Sequence, residues 1–262
     1  MHLELVTDLT KEGFLSALNR FIARRGKPQT IYCDNGTNFS GAFNELTNLL
    51  KHNSNQINDN MYQQGINFKF LPAYSPSFGG LWENVVRSVK YHLRRILGMA
   101  HLTYEELSTC LCQIEAILNS RPLTPISTDP SDLSSLTPAH LLIGRTLTSV
   151  PYPQVTEHNV HRLQRFQRIE APKQHFWKRF STEYITQLQQ KYKWRSTSGG
   201  ALHVGDLVLI KEKASPPLMW QLGRIINLYP GSDGVARVAD IKTKKGIIRR
   251  AYNNICPLPL ES

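Results

Sequence analysis

Twice within its first hundred residues this sequence runs a short apolar strand into a glycine-containing turn and then a helix, with a carboxylate beside each turn. Strands alternating with helices make the first part of the chain α/β. Thr30-Ile31-Tyr32-Cys33 reads as a strand that ends on Asp34, and Asn35-Gly36 supplies the turn. Phe68-Lys69-Phe70-Leu71 reads as the second strand. A Pro/Ser/Gly loop from Tyr74 to Gly80 follows, then a long helix with Glu83 near its first turn. Two hard oxygen ligands from different elements suit Mg²⁺ or Mn²⁺. A pair of such ions activates a water or hydroxyl and stabilises a leaving phosphate oxygen. Taken singly, Asp34 reads as a turn former and Glu83 as a complement to the helix dipole. Together they suggest phosphoryl transfer on nucleic acid.

The helix from about Leu81 to Leu97 is the most informative single element. Glu83, Arg87, Lys90 and Arg94 recur at helical spacing on one face. Val85, Val89, Leu93 and Ile96 lie roughly opposite and are expected to pack inward. One stripe thus carries a metal-ligand candidate and then a row of cations, which suits a DNA backbone running along the helix. The plainer alternative is a solvated charged face with a Glu83–Arg87 pair. Elsewhere, Phe14, Leu15, Leu18, Phe21 and Ile22 predict a helix with Asp8 as its N-cap. Phe43, Leu46 and Leu50 predict a helix over 39–50, and Lys51–Gln64 reads as an Asn/Gln-rich loop. Thr103-Tyr104-Glu105-Glu106 reads as the capped start of a helix reaching Asn119. Cys110 and Cys112 fall on different sides of it and read as packing residues.

Charge separates the chain into a neutral first part and a basic remainder. Residues 1–159 hold 13 Lys/Arg and 13 Asp/Glu, residues 160–195 hold 9 and 2, and residues 203–262 hold 9 and 5. A basic block beside a neutral region is the electrostatic footprint of nucleic-acid binding. Gln174–Trp194 has aromatics at helical spacing among lysines and arginines. Such interleaving can bind nucleic acid, but aromatics at that spacing read first as core, with the cations as the contact surface. After the Ser196–Gly200 linker, short alternating runs at Val204–Ile210, Leu218–Leu228, Val235–Ile241 and Gly246–Arg250 predict strands of a small barrel. Its candidate DNA contacts are Arg224, Lys242, Lys244, Lys245, Arg249 and Arg250.

Cys33-Asp34-Asn35-Gly36-Thr37-Asn38-Phe39, Tyr74-Ser75-Pro76 and Gly79-Gly80-Leu81-Trp82-Glu83-Asn84 resemble the catalytic core of retroviral and retrotransposon integrases. His2-Leu3-Glu4-Leu5 and Asn119-Ser120-Arg121-Pro122-Leu123 are similar to the BEL/Pao class of those elements. Thr137–Arg145 resembles the segment that closes the core. The resemblance implies an α/β, RNase H-like core over 1–150, a basic helical linker over 151–202 and an SH3-like or chromo-like β-barrel over 203–262. It implies Asp34 and Glu83 as catalytic ligands of Mg²⁺ or Mn²⁺. It also places Tyr74, Arg87 and Lys90 near a DNA end. The implied partners are element ends and target DNA, with a homo-oligomer allowed and no membrane. Residues 34 and 83 stand 49 apart, a wider gap than in retroviral integrases, and the Lys51–Gln64 loop accounts for it.

One departure matters. Integrase cores use three carboxylates, the first on an opening hairpin. Here Met1–Val6 looks like the third strand of such a core, Asp8 reads as a helix cap, and Glu4 is expected on the opposite side. The first Asp and the first strands are therefore expected to be missing. Two readings follow. One is divalent-metal-dependent DNA strand transfer in the intact protein. The other is a DNA-binding remnant, or a domesticated transposon protein, without catalysis.

Composition narrows the rest. A chain of 262 residues, 40% hydrophobic, can hold two packed domains. It has no apolar run long enough for a transmembrane helix and no signal-peptide pattern at Met1. Its four cysteines form no Cys-x-x-Cys pair, which points to reduced thiols in an intracellular protein, nuclear or cytoplasmic and not secreted. His158 and His161 have no cysteine pair nearby to complete a zinc site.

Overall fold

The computed structural model describes residues 1–34, 36–52, 65–71, 86–87, 89–94, 102–150, 152–156, 164–195, 202–212, 215–232 and 236–259. The chain packs as two compact units, residues 4–91 and residues 92–262, the latter joined by Met1–Leu3. The stretch expected as a linker belongs to the second unit.

In the first unit, α1 (Lys11–Arg25) begins on Thr10, whose hydroxyl accepts the Gly13 N–H at 3.1 Å. The cap is therefore Thr10 and not Asp8 as expected. Asp8 braces that cap instead: its Oδ1 accepts the Thr10 N–H at 2.9 Å and also the Thr10 hydroxyl. These bonds, the hydroxyl's first, hold its carboxyl below the usual range. β1 (Thr30–Cys33) and β2 (Asn67–Phe70) form a parallel pair, with Ile31 opposite Phe68. Parallel strands need a crossover, and α2 (Thr37–His52) lies in the connection. Its N-terminal half brings Phe39 and Phe43 against Phe14, Phe68 and Phe70, with ring centroids 4.8–6.5 Å apart. Edge-to-face rings of this kind make a small aromatic core.

Residues 1–6 form no strand, contrary to expectation. Polar side chains claim their backbone first. The Met1 amine donates to Asn119 Oδ1 at 2.6 Å, and the Leu3 N–H donates to Glu115 Oε2 at 2.8 Å. Glu4 is taken up by Arg20 and Arg24.

The second unit starts with α3 (Tyr104–Asn119). Thr103 and Glu106 form a full capping box, as their spacing suggests. Cys110 is buried and packs as expected, but Cys112 is exposed, because two residues two apart on a helix face different sides. A minimal hairpin, β3 (Thr124–Pro125) and β4 (Ser135–Leu136), follows, then α4 (Pro138–Ile143), which ends on Gly144 in the left-handed conformation. α5 (Arg165–Arg195) is longer than the aromatic spacing indicated and contains Pro172. Its Phe176, Trp177 and Phe180 are buried, and Tyr184 packs against the core, so these four are packing residues as expected.

The last five strands are β5 (Leu207–Ile210), β6 (Leu222–Pro230), β7 (Ala236–Thr243), β8 (Gly246–Ala251) and β9 (Ile255–Pro257). They form one antiparallel sheet in the order β8-β7-β6-β5-β9. It is not the closed barrel that was expected. A 3₁₀ turn at Tyr252–Asn254 redirects the chain after β8, and β9 then pairs with β5, which leaves β8 and β9 at opposite edges. One face of the sheet buries Val208, Ile210, Ile225, Ala239, Ile241 and Ile255. The other face, at β5 and β9, buries Leu207, Leu209 and Cys256 against Ile185, Tyr184 and Leu188 of α5. The segment read as a linker is thus the helix that covers half of the sheet.

Candidate nucleic-acid interface

Asp34 follows β1 directly, at the carboxyl end of the parallel pair. In open α/β sheets that is where ligands bind. Its side chain is exposed, and Oδ1 accepts the Gly36 N–H at 3.0 Å, so it also closes the turn predicted for it. Beside it, Cys33 is buried, and burial followed by the Asp34 charge pushes its thiol up. Glu83 and Tyr74, the other expected members of this site, lie outside the described residues. Among the described residues, no cluster of three or more His, Cys, Asp or Glu side chains could hold a metal ion.

Residues 86, 87 and 89–94 are helical, as predicted for this stretch. Arg87, Lys90 and Arg94 are exposed and Val89 is buried, in line with the predicted two faces. The helix has a further inward residue. His92 is 3% exposed, its ring lies edge-on to Phe176 at 5.4 Å, and its Nε2 lies 2.8 Å from Glu183.

In the sheet the expected cations separate into three kinds. Arg224 is not a surface residue. It is 5% exposed, and its guanidinium donates to the carbonyls of Asp132 at 3.0 Å, Gly205 at 2.8 Å and Ser127 at 2.7 Å. The loop of the β3–β4 hairpin covers this part of the sheet, and Arg224 is the clamp that holds it. A guanidinium satisfies several carbonyls at once from one planar fork.

Arg249 is partly exposed but engaged. Its Nε donates to Asp240 Oδ1 at 2.7 Å, and its terminal nitrogen donates to Asp240 Oδ2 at 3.0 Å. The guanidinium lies 4.3 Å over the Tyr229 ring, and the Tyr229 hydroxyl donates to Asp240 at 2.7 Å. These groups, the arginine first, pull the Asp240 carboxyl down to about 2. The hydrogen bond to Asp240, ahead of burial, raises the Tyr229 hydroxyl. Arg249's charge is therefore largely answered within the protein.

Lys242, Lys244 and Lys245 are exposed, the last two on the β7–β8 turn. Thr243 shapes that turn: its hydroxyl donates to the Gly246 carbonyl at 2.8 Å and accepts the Lys245 N–H at 3.2 Å. Gly246 takes φ 121°, which suits glycine. Arg250 is half-buried and donates to the Arg249 carbonyl at 3.1 Å. The 16-residue hairpin from Ala236 to Ala251 holds six Lys/Arg and one Asp/Glu. The hairpin also shows Ile247, 65% exposed, and Tyr229 of the neighbouring β6 is 40% exposed.

The sequence reading missed the Asp240–Arg249–Tyr229 cluster. The signal was present, because a two-residue turn at Lys244-Lys245 places Asp240 opposite Arg249.

Comparison with known proteins gives little beyond this geometry. A family of unknown function, DUF5641, matches residues 164–258, which spans α5 and the sheet. No curated protein matches the chain. Among solved structures, the fold is similar to a chain in the simian T-cell lymphotropic virus intasome in complex with PP2A regulatory subunit B56 gamma. That match has 14% identity and a TM-score of 0.37 and covers 97% of this chain. The present chain spans 66% of that chain's length.

Proposed function

We propose that this chain is a nucleic-acid-binding protein related to the integrases of retroviruses and BEL/Pao retrotransposons, and that its β7–β8 hairpin is a duplex DNA contact. The observation that carries this reading is the hairpin's charge, six cations against one carboxylate, with that carboxylate already bound by Arg249. Lys242, Lys244 and Lys245 are left to meet phosphates. Phosphate contacts of this kind give affinity without base readout. The sheet order β8-β7-β6-β5-β9 places this hairpin at one edge of the sheet. The activity proposed for its lineage is metal-dependent DNA strand transfer. Asp34 and Glu83 would be ligands of Mg²⁺ or Mn²⁺, which would activate the attacking hydroxyl and stabilise the leaving oxygen. Arg87, Lys90 and Arg94 would line the path of the DNA end. Asp8 does not fit the place of a third ligand, because its Oδ1 is committed to Thr10.

The test is fluorescence anisotropy of the full chain with duplex DNA at several salt concentrations. Replacing Lys242, Lys244 and Lys245 with alanine should lower the salt slope by roughly 0.9 per lost phosphate contact. An unchanged slope would remove the hairpin from the interface. Strand-transfer assays with Mg²⁺ or Mn²⁺ are expected to be blank. Mn²⁺-dependent transfer that Glu83→Gln abolishes would show a complete metal site and overturn the remnant reading.

A further inference from the structure

Residues 152–156, α5, Lys211, Glu212 and Ser215–Pro217 surround a cleft of about 600 Å³, within the size range of small-ligand sites. Its walls are fixed. The Gln174 amide donates to the Pro153 carbonyl at 2.9 Å and accepts the Val155 N–H at 3.0 Å, which straps the first wall to α5. One turn along the helix, the Trp177 indole donates to the Ser215 carbonyl at 2.7 Å and holds the second. The adjoining turn carries Leu218 at φ 66°, a conformation that side-chain-bearing residues avoid. Strain of this sort persists only where the surroundings impose it.

The lining mixes polar and apolar groups and carries two lysines against one glutamate. Lys178 comes from α5 and Lys211 from the end of β5, and both are exposed. Ser181, Thr182 and Thr156 add hydroxyls, and Glu212 is the one acidic residue. Tyr152 also lines the cleft, 44% exposed, and packs against Phe166, 54% exposed, with ring centroids 5.4 Å apart. Phe176, Trp177 and Phe180 of the same helix are buried in the core. Phe166 and Tyr152 form an exposed ring pair beside a cleft that presents two lysines.

Rings and cations together suit unpaired nucleotides, because an unstacked base offers a flat face to the rings while its phosphates meet the lysines. Duplex DNA keeps its base faces stacked inside and gains nothing from the rings. A phosphorylated peptide would use the lysines alone. We propose that this cleft binds the unpaired end of a nucleic-acid strand, with a base on Tyr152 and Phe166 and phosphates at Lys178 and Lys211. This site is separate from the β7–β8 hairpin and stands whether or not the hairpin binds duplex.

The experiment is anisotropy of the full chain with a labelled short oligothymidine and with a duplex. Tyr152→Ala with Phe166→Ala should weaken single-strand binding by about tenfold or more and leave duplex affinity unchanged. Tyr152→Phe should retain binding. Lys178→Ala with Lys211→Ala should lower the single-strand salt slope by roughly 0.7 per lysine. These two lysines are exposed, so that variant reports even if the ring variant fails to fold. Lys244→Ala with Lys245→Ala should leave single-strand binding intact. Equal losses on duplex and single strand would overturn the proposal, as would no loss from either pair of substitutions. It also fails if a free nucleoside monophosphate displaces the strand as readily as unlabelled oligomer. It fails equally if a phosphopeptide binds through the same lysines more tightly than the strand.

Discussion

Arg224 shows how far an arginine's surroundings decide its role. It resembles the neighbouring cations in sequence but sits buried among three carbonyls. Arg224→Met should destabilise the protein by about 2–4 kcal/mol, because the carbonyls of Ser127, Asp132 and Gly205 would lose their donor. Urea denaturation reads that loss, and DNA affinity of the folded fraction should not change. Asp240 gives a pH-dependent counterpart. Its folded-state carboxyl titrates at about 2, against an ordinary 3.8. A lowered value means that the Asp240 interactions stabilise the fold fully above the ordinary value and are lost as pH falls towards 2. Asp240→Asn should therefore lower the melting temperature at neutral pH and flatten its fall between pH 4 and pH 2. A variant with the wild-type acid profile would show that Asp240 does not carry the linkage.

Single elements depend on a few close approaches. Gly223 of β6 lies under β7. A Cβ there would stand 2.4 Å from Ile241 Cγ2 and 2.8 Å from the Lys242 carbonyl oxygen. Backbone cannot step aside cheaply, so Gly223→Ala should cost about 1–3 kcal/mol and lower the denaturation midpoint. The start of α3 offers a milder case. Thr103 accepts the Glu106 N–H at 3.3 Å, and Glu106 accepts the Thr103 N–H at 2.8 Å. Thr103→Ala should cost about 1 kcal/mol, measurable in the same assay. Both elements were visible as patterns. The capping box is a local four-residue signal, so the sequence located it to the residue. The β6 glycine reads only as a gap in an alternating run, because what it accommodates lies on another strand.

At the scale of the whole molecule, the second unit joins α3, α5 and the sheet into one packed body. Tyr184 of α5 donates to the Pro122 carbonyl at 2.5 Å, and burial first pushes its hydroxyl up to about 12. The Trp220 indole donates to Ser120 Oγ at 3.0 Å. Gln189 donates to the Ile255 carbonyl at 2.9 Å. A fragment of residues 92–262 should therefore unfold cooperatively and bind duplex DNA about as well as the full chain. A fragment of residues 160–262 keeps all of the basic excess but loses α3 and the hairpin loop that Arg224 clamps. It should melt at lower temperature, over a broader transition. Circular dichroism melts of the two fragments decide this, and equal stability would mean that α3 is not part of the folding unit.

Read alone, the sequence determined whatever depends on near neighbours. It located α1, α2 and α3 by their apolar spacing, the turn at Asp34, the capped start at Thr103, the aromatic core face of α5 and the concentration of charge after residue 160. Each of those is written within a few turns of chain. Tertiary structure decided which cations remain for a partner. Arg224 is withdrawn by a hairpin loop about ninety residues earlier, and Arg249 is answered by a carboxylate across the ladder. It also decided that the presumed linker is a packed helix, that the barrel is an open sheet, and that Tyr152 and Phe166 meet beside a cleft. The reason is physical. Burial and pairing between residues distant in sequence follow from how elements pack, and charge or hydropathy along the chain carries no record of that distance.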